Sequence, residues 1–269
     1  MSDNPSRDAF TFAGDWSGQL VATSIHAGHD LRDETADLIV LDEETRLREE
    51  DPFTEQIASL CPARLVVHRS RFEVDLNRER DSAVYRRPSD CWGLEVWRES
   101  PLPDDVSERS LAVHDDFYAR LGERLDEMAA RGPFVLYDVH SYNHRRDGAD
   151  EPEAEPEDNP EVNVGTGSLD RDRWGDVVDA FIESLSGTGT AGGEIDVREN
   201  VRFQGANLAG WVHERYPDHG VALALEFKKT YMDEWTGEPD RARIGTLSRG
   251  LAGTVEPVLR ALASAGRDR

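Results

Sequence analysis

The sequence predicts a single α/β layer domain built on a mixed sheet. Short apolar, β-branched runs at residues 19–25 (QLVATSI), 134–139 (FVLYDV) and 221–227 (VALALEF) have the length and composition of buried strands. A helical pattern over 111–131 leads straight into the second run, the helix-to-strand order of a layered fold. The runs end at or contain His26, His140 and Glu226, and the carboxyl ends of strands are where open α/β sheets place ligands.

Taken in order, residues 1–18 read as a polar arm preceding a domain that occupies 19–269. The first strand stops at His26-Ala27-Gly28-His29. Residues 33–60 are acidic and predicted to be mostly helical, with Pro52 near a helix start and Phe53, Ile57 and Leu60 on its apolar side. Residues 64–68 (RLVVH) and 72–76 (FEVDL) are two further strand candidates, the second by its alternation. Residues 81–105 read as loop. Leu111, His114, Phe117, Leu121, Leu125 and Met128 recur at three- and four-residue spacing, so one face of that helix is apolar. Gly132-Pro133 ends it. Residues 147–161 are acidic and low in complexity and form a solvated loop. Residues 186–193 (SGTGTAGG) form a flexible connection, and 244–263 a helix with a glycine-containing interruption.

The chain of 269 residues carries 55 acidic and 31 basic side chains, a formal net charge of -24. Lys228 and Lys229 are the only lysines, so nearly all positive charge is arginine. Such a surface repels nucleic acid and anionic membranes and suits a high-salt medium. Two cysteines without a CxxC pair exclude a disulfide scaffold and a cysteine zinc site. No secretory signal and no run of about 18 apolar residues is present, so cytoplasm is the default location. An anionic substrate reaching this protein requires a local cluster of arginines against the global field.

Catalytic zinc takes three His, Asp or Glu ligands and leaves the fourth position to water. His26 and His140 are the histidines best placed by the strand argument. Asp138 beside His140 need not be its support, although a carboxylate behind a ligand histidine is common. For the third ligand, His29 of the HxxH pair and the carboxylates of Glu49-Glu50-Asp51 both remain open. Glu226 within an apolar run is costly without a partner or a task. His144 is a candidate substrate contact, whereas His68, His114, His213 and His219 have plainer structural explanations. Neither a GxSxG elbow nor a GxGxxG or GxxxxGK[ST] loop occurs, which disfavours serine hydrolysis and nucleotide binding.

Several short pieces resemble the N-formylglutamate amidohydrolases, also called N-formylglutamate deformylases. These are His26-Ala27-Gly28, Asp75-Leu76-Asn77-Arg78, Asp138-Val139-His140-Ser141, Asn163-Val164-Gly165-Thr166, Phe203-Gln204-Gly205 and Leu225-Glu226-Phe227, running on to Thr230-Tyr231-Met232-Asp233-Glu234. They follow the family's order. The resemblance implies a doubly wound core similar to the zinc carboxypeptidases. It implies zinc held by His26, Asp51 and His140, Glu226 as general base, and Asn77 with Arg78 as the grip on a substrate carboxylate. Arg71 and Arg78 are candidates for stabilising the oxyanion, and Tyr231 for orienting substrate through its hydroxyl. The expected substrate is a small anionic N-acyl amino acid such as N-formylglutamate. Rival expectations are a carboxypeptidase-like peptidase or other N-acyl amino acid hydrolase, and a non-enzymatic acidic binding module.

Overall fold

A computed structural model describes residues 9–190 and 193–266. The strands are β1 (Phe10–Gly14), β2 (Leu20–Ser24), β3 (Ala63–Val67), β4 (Phe134–Tyr142), β5 (Val162–Gly165), β6 (Gly189–Thr190), β7 (Gly193–Glu194), β8 (Val197–Glu199) and β9 (Gly220–Lys228). The helices are α1 (Asp33–Ala36), α2 (Glu43–Glu49), α3 (Thr54–Ile57), α4 (Asp104–Ala129), α5 (Arg171–Ser186), α6 (Asn207–Arg215) and α7 (Arg241–Ala265). Seven strands form one sheet in the order β1-β3-β2-β4-β9-β5-β8, and β6 with β7 makes a separate small hairpin. Strands β3, β2, β4 and β9 run parallel, while β1 and β5 lie antiparallel to their neighbours β3 and β9. The mixed α/β fold expected from the sequence is what forms.

Alternation along the central strands serves two helical layers, because successive side chains leave opposite faces of a sheet. Val135, Tyr137 and Val139 of β4 join Val221, Leu223 and Leu225 of β9 against residues of α3, α5 and α7. Phe134 and Leu136, with Ala222 and Ala224, face α4 and α6. On α4, Phe117, Leu121, Leu125 and Met128 are fully buried, as their spacing predicts, and each such side chain contributes about 1.5–3 kcal/mol through burial. A third apolar cluster, including Phe72, Tyr85, Cys91 and Trp97, lies beneath the excursion between β3 and α4.

Four sequence expectations need correction. Within the supposed polar arm, Phe10–Gly14 is an edge strand. Phe10 is buried and stacks edge-on against Phe117 at 5.6 Å, while residues 1–8 lie outside the described residues. Residues 72–76 form turns, not a strand. Both alternating sets are buried there, Phe72, Val74 and Leu76 in apolar contacts and Glu73 and Asp75 in ion pairs. Helix α7 runs without interruption through its glycines. Gly250 lets α5 approach, since a Cβ there would lie 3.1 Å from Leu185 Cδ1. Finally, α4 begins at Asp104, inside the stretch read as loop.

Candidate metal centre and cleft

The carboxyl ends of β2, β4 and β9 meet at one edge of the sheet. His26 lies just past β2. His140 and Glu226 face each other in register across β4 and β9. Asp51 arrives from the turn between α2 and α3, with its N–H donating to the His26 carbonyl at 2.9 Å. Phe53 adopts a left-handed φ of 68°, which turns the chain sharply into α3. Gly28 keeps the other approach tight, because a Cβ there would fall 2.2 Å from the His68 carbonyl carbon.

His26, Asp51 and His140 are buried, and each offers a ligand atom within 4.8 Å of the others. Asp51 Oδ2 lies 3.1 Å from His140 Nδ1 and 3.4 Å from His26 Nδ1, while Ser141 Oγ donates to Oδ1 at 3.0 Å. Both Nε2 atoms look the other way. His26 Nε2 meets Asp75 Oδ1 at 2.7 Å, and His140 Nε2 lies 3.0 Å from Asp138 Oδ2. Thr23 Oγ1 donates to Asp138 Oδ1 at 2.9 Å and orients that carboxylate. Asp138 and His140 are two residues apart on one strand and share a face, which decides the support the sequence left open in favour of Asp138.

The electrostatics follow from burial and neighbours. Burial alone raises the Asp51 carboxyl, but the two imidazoles outweigh it and hold its pKa below the usual carboxylate range. Burial lowers the His140 pKa, yet Asp138, Asp51 and Glu226 together raise it well above the ordinary histidine value. Desolvation pushes Glu226 up to about 7, against the opposing pull of His140.

These residues open onto a cleft of about 460 Å³. Asn77, Arg71 and Arg78 line it, together with Arg48, Arg146 and Lys229. Five basic side chains thus meet the carboxylates of Glu49, Asp51, Asp75 and Glu226 there, so the cleft is far less negative than the chain as a whole. Arg71 donates through Nη2 to Asp75 at 2.9 Å and lies over the Trp92 ring at 5.2 Å. Arg78 lies over the Tyr85 ring at 4.5 Å and donates to the Asp90 carbonyl at 2.9 Å. Trp92 is 60% exposed at the cleft wall, with a left-handed φ of 50°. Lys229 Nζ donates to the carbonyls of Arg48 and Glu50 at 2.5 and 2.7 Å, pinning the chain on which Asp51 sits.

Two expected contacts stand elsewhere. Tyr231 is fully buried beneath the site and donates its hydroxyl to the Pro52 carbonyl at 3.1 Å. His144 faces a separate depression with Glu153 and Glu234, because β4 has ended by then and the chain has turned away. The open choice of third ligand also narrows. His29 Nδ1 is 2.5 Å from Glu50 Oε2, and Ser70 donates to the same carboxylate, so those two residues satisfy each other away from the imidazoles. Sequence reasoning passed over Asp75 as a support and left Asp138 undecided. The period of two in β4 was the available signal for Asp138.

Comparison with known proteins bears on the family and the fold. No curated protein sequence matches the chain. The crystal structure of N-formylglutamate amidohydrolase from Ralstonia eutropha JMP134 superposes with a TM-score of 0.72 at 18% identity, covering 97% of this chain and 100% of that one. A gene product from Agrobacterium tumefaciens gives 0.61 at 17% identity, with 95% of each chain covered. Carboxypeptidase A from Helicoverpa armigera gives 0.50 at 11% identity over 96% of this chain and 66% of that one, a likeness of fold. The family model for N-formylglutamate amidohydrolase matches residues 18–232, a span holding every residue of the candidate centre. This protein is therefore a member of the N-formylglutamate amidohydrolase family.

Proposed function

We propose that this amidohydrolase uses zinc to cleave the acyl amide of a small N-acyl amino acid bearing a carboxylate, with N-formylglutamate as the substrate its family suggests. The observation that carries the reading is the convergence of His26, Asp51 and His140, from three separate parts of the chain, beside Glu226. Two nitrogens and one carboxylate oxygen are the donor set of catalytic zinc. The carboxylate behind each Nε2 fixes the tautomer that leaves Nδ1 free to ligate. A zinc ion held there would acidify water to a pKa of about 7 and polarise the amide carbonyl.

The chain's own groups then divide the remaining work. Glu226 takes the proton of the attacking water and returns it to the leaving nitrogen, a transfer suited to a carboxyl raised to about 7. Arg78 and Asn77 hold the substrate carboxylate, Arg78 by charge-assisted hydrogen bonds. Arg71 Nε has no hydrogen-bond partner although it is buried. That spare donor is suited to the negative charge developing on the carbonyl oxygen.

The test is hydrolysis of N-formyl-L-glutamate before and after chelation and zinc restoration, with acetyl and peptidyl substrates in parallel. Chelated enzyme is expected to be inactive and zinc to restore it. His140→Ala should lose zinc and activity together. Glu226→Gln should keep zinc and lose roughly 100-fold or more in kcat. Full activity after complete metal removal would refute the zinc reading. Preference for peptidyl substrates would replace the deformylase reading with a carboxypeptidase-like one.

A further inference from the structure

The turn 75–78 presents Asn77 and Arg78 to the cleft, and its other side rests on α4 and α6. The Arg78 carbonyl accepts from Asn207 Nδ2 at 3.0 Å and lies 3.0 Å from His114 Nε2. Asn207 Nδ2 also donates to the Tyr118 hydroxyl at 2.8 Å, which in turn donates to the Leu76 carbonyl at 2.7 Å. The Leu208 N–H donates to Asn77 Oδ1 at 2.9 Å. Asn207, Tyr118 and His114 do not line the catalytic cleft. They line a second cleft of about 640 Å³ behind the turn, so their effect on substrate must pass through the turn itself.

The Leu208 bond fixes which end of the Asn77 amide the substrate meets. A side-chain amide has one accepting and one donating end. Its oxygen is engaged by an N–H of the first turn of α6, which has no partner within the helix. The Nδ2 end is therefore the one turned away from α6, toward the cleft that Asn77 lines. A reversed amide would set two donors together at Leu208 and present an oxygen to a substrate carboxylate.

We propose that Asn207, backed by Tyr118, is a positioning residue of the carboxylate clamp: it anchors the Arg78 carbonyl and registers the start of α6 against Asn77. The inference rests on the reading that Asn77 and Arg78 grip the substrate carboxylate. Asn207→Leu removes both side-chain hydrogen bonds at similar volume, and Tyr118→Phe removes only the hydroxyl. Kinetics are measured with N-formyl-L-glutamate and with its neutral diamide. For Asn207→Leu, KM for the anionic substrate should rise about tenfold, with kcat within about threefold and the diamide KM unmoved. Zinc content should stay at the wild-type level. Tyr118→Phe should shift KM in the same direction by less, and it decides the matter if the leucine variant does not fold. Unchanged KM in the folded variants, or equal losses on charged and neutral substrates, would overturn the proposal. Arg78→Ala is run beside them. If it leaves the preference for the charged substrate intact, the clamp reading fails and this inference with it. If it abolishes that preference while Asn207→Leu and Tyr118→Phe do not touch it, the inference alone fails.

Discussion

His26 and His140 each turn Nδ1 toward Asp51 because a carboxylate occupies the space beyond Nε2. Removing such a support leaves the ligand in place but loosens its tautomer and orientation. Asp138→Asn is therefore expected to weaken zinc binding roughly 10–100-fold, read by competition with a chromophoric chelator, with unfolding of the metal-free protein as the control for fold. Zinc affinity equal to wild type would show that the 3.0 Å contact to His140 does not tune the ligand. At this scale the sequence was informative wherever a strand end marked a residue, as at His26, His140 and Glu226. It was less so among Glu49, Glu50 and Asp51, where consecutive side chains diverge and only tertiary partners separate them. Glu50 goes to His29 and Ser70, while Asp51 goes to the imidazoles. His144 and Tyr231 were misplaced because nearness along the chain does not tell which side of a turn a residue leaves.

At the level of elements, β2, β4 and β9 and the helix α4 were legible because their apolar spacing is strong. The turns at 71–80 were not, because their order comes from buried ion pairs between distant residues such as Arg32 and Glu73. The seam between α6 and β9 shows a similar dependence on partners. Strand β5 pairs with β9 only as far as Ala224. The N–H of Ala222 lies beyond that register and is accepted by His213 Nε2 at 2.9 Å, while His213 Nδ1 lies 2.8 Å from Ser168 Oγ. That acceptor exists only in neutral imidazole. Burial depresses the His213 pKa from the ordinary histidine value of about 6.5 to about 4. Between those values the unfolded chain binds the proton and the folded one does not, so stability rises with pH across the window. The contribution is fully present above about 6.5 and is lost as pH falls toward 4, with an upper bound of about 3 kcal/mol. Urea unfolding at pH 7, 5.5 and 4.5 checks this against His213→Gln, whose amide oxygen accepts without titrating. The stability advantage of wild type over the variant should shrink as pH falls, and a constant difference would exclude the linkage.

Across the whole molecule, 55 acidic side chains against 31 basic ones set two opposing responses to salt. Exposed pairs such as Arg80–Asp115, Arg109–Glu34 and Arg215–Asp126 weaken as salt screens them, but each is worth only about 0–1 kcal/mol. The excess of 24 negative charges repels itself throughout the fold, and that repulsion acts over distances that salt shortens from about 10 Å at 0.1 M to about 3 Å at 1 M. Most of the repulsion is long-range and unpaired, so its relief outweighs the loss of a few surface pairs. The cleft is largely exempt, because its arginines are held by buried partners such as Asp75 and by aromatic rings, which salt screens weakly. Thermal midpoints measured from 0.05 to 1 M KCl are therefore expected to rise by several degrees, about 2–4 °C for each kcal/mol of repulsion removed. Zinc content should not change across the series. A midpoint that stays flat or falls would mean that the surface ion pairs, and not the net charge, dominate the electrostatics of this fold.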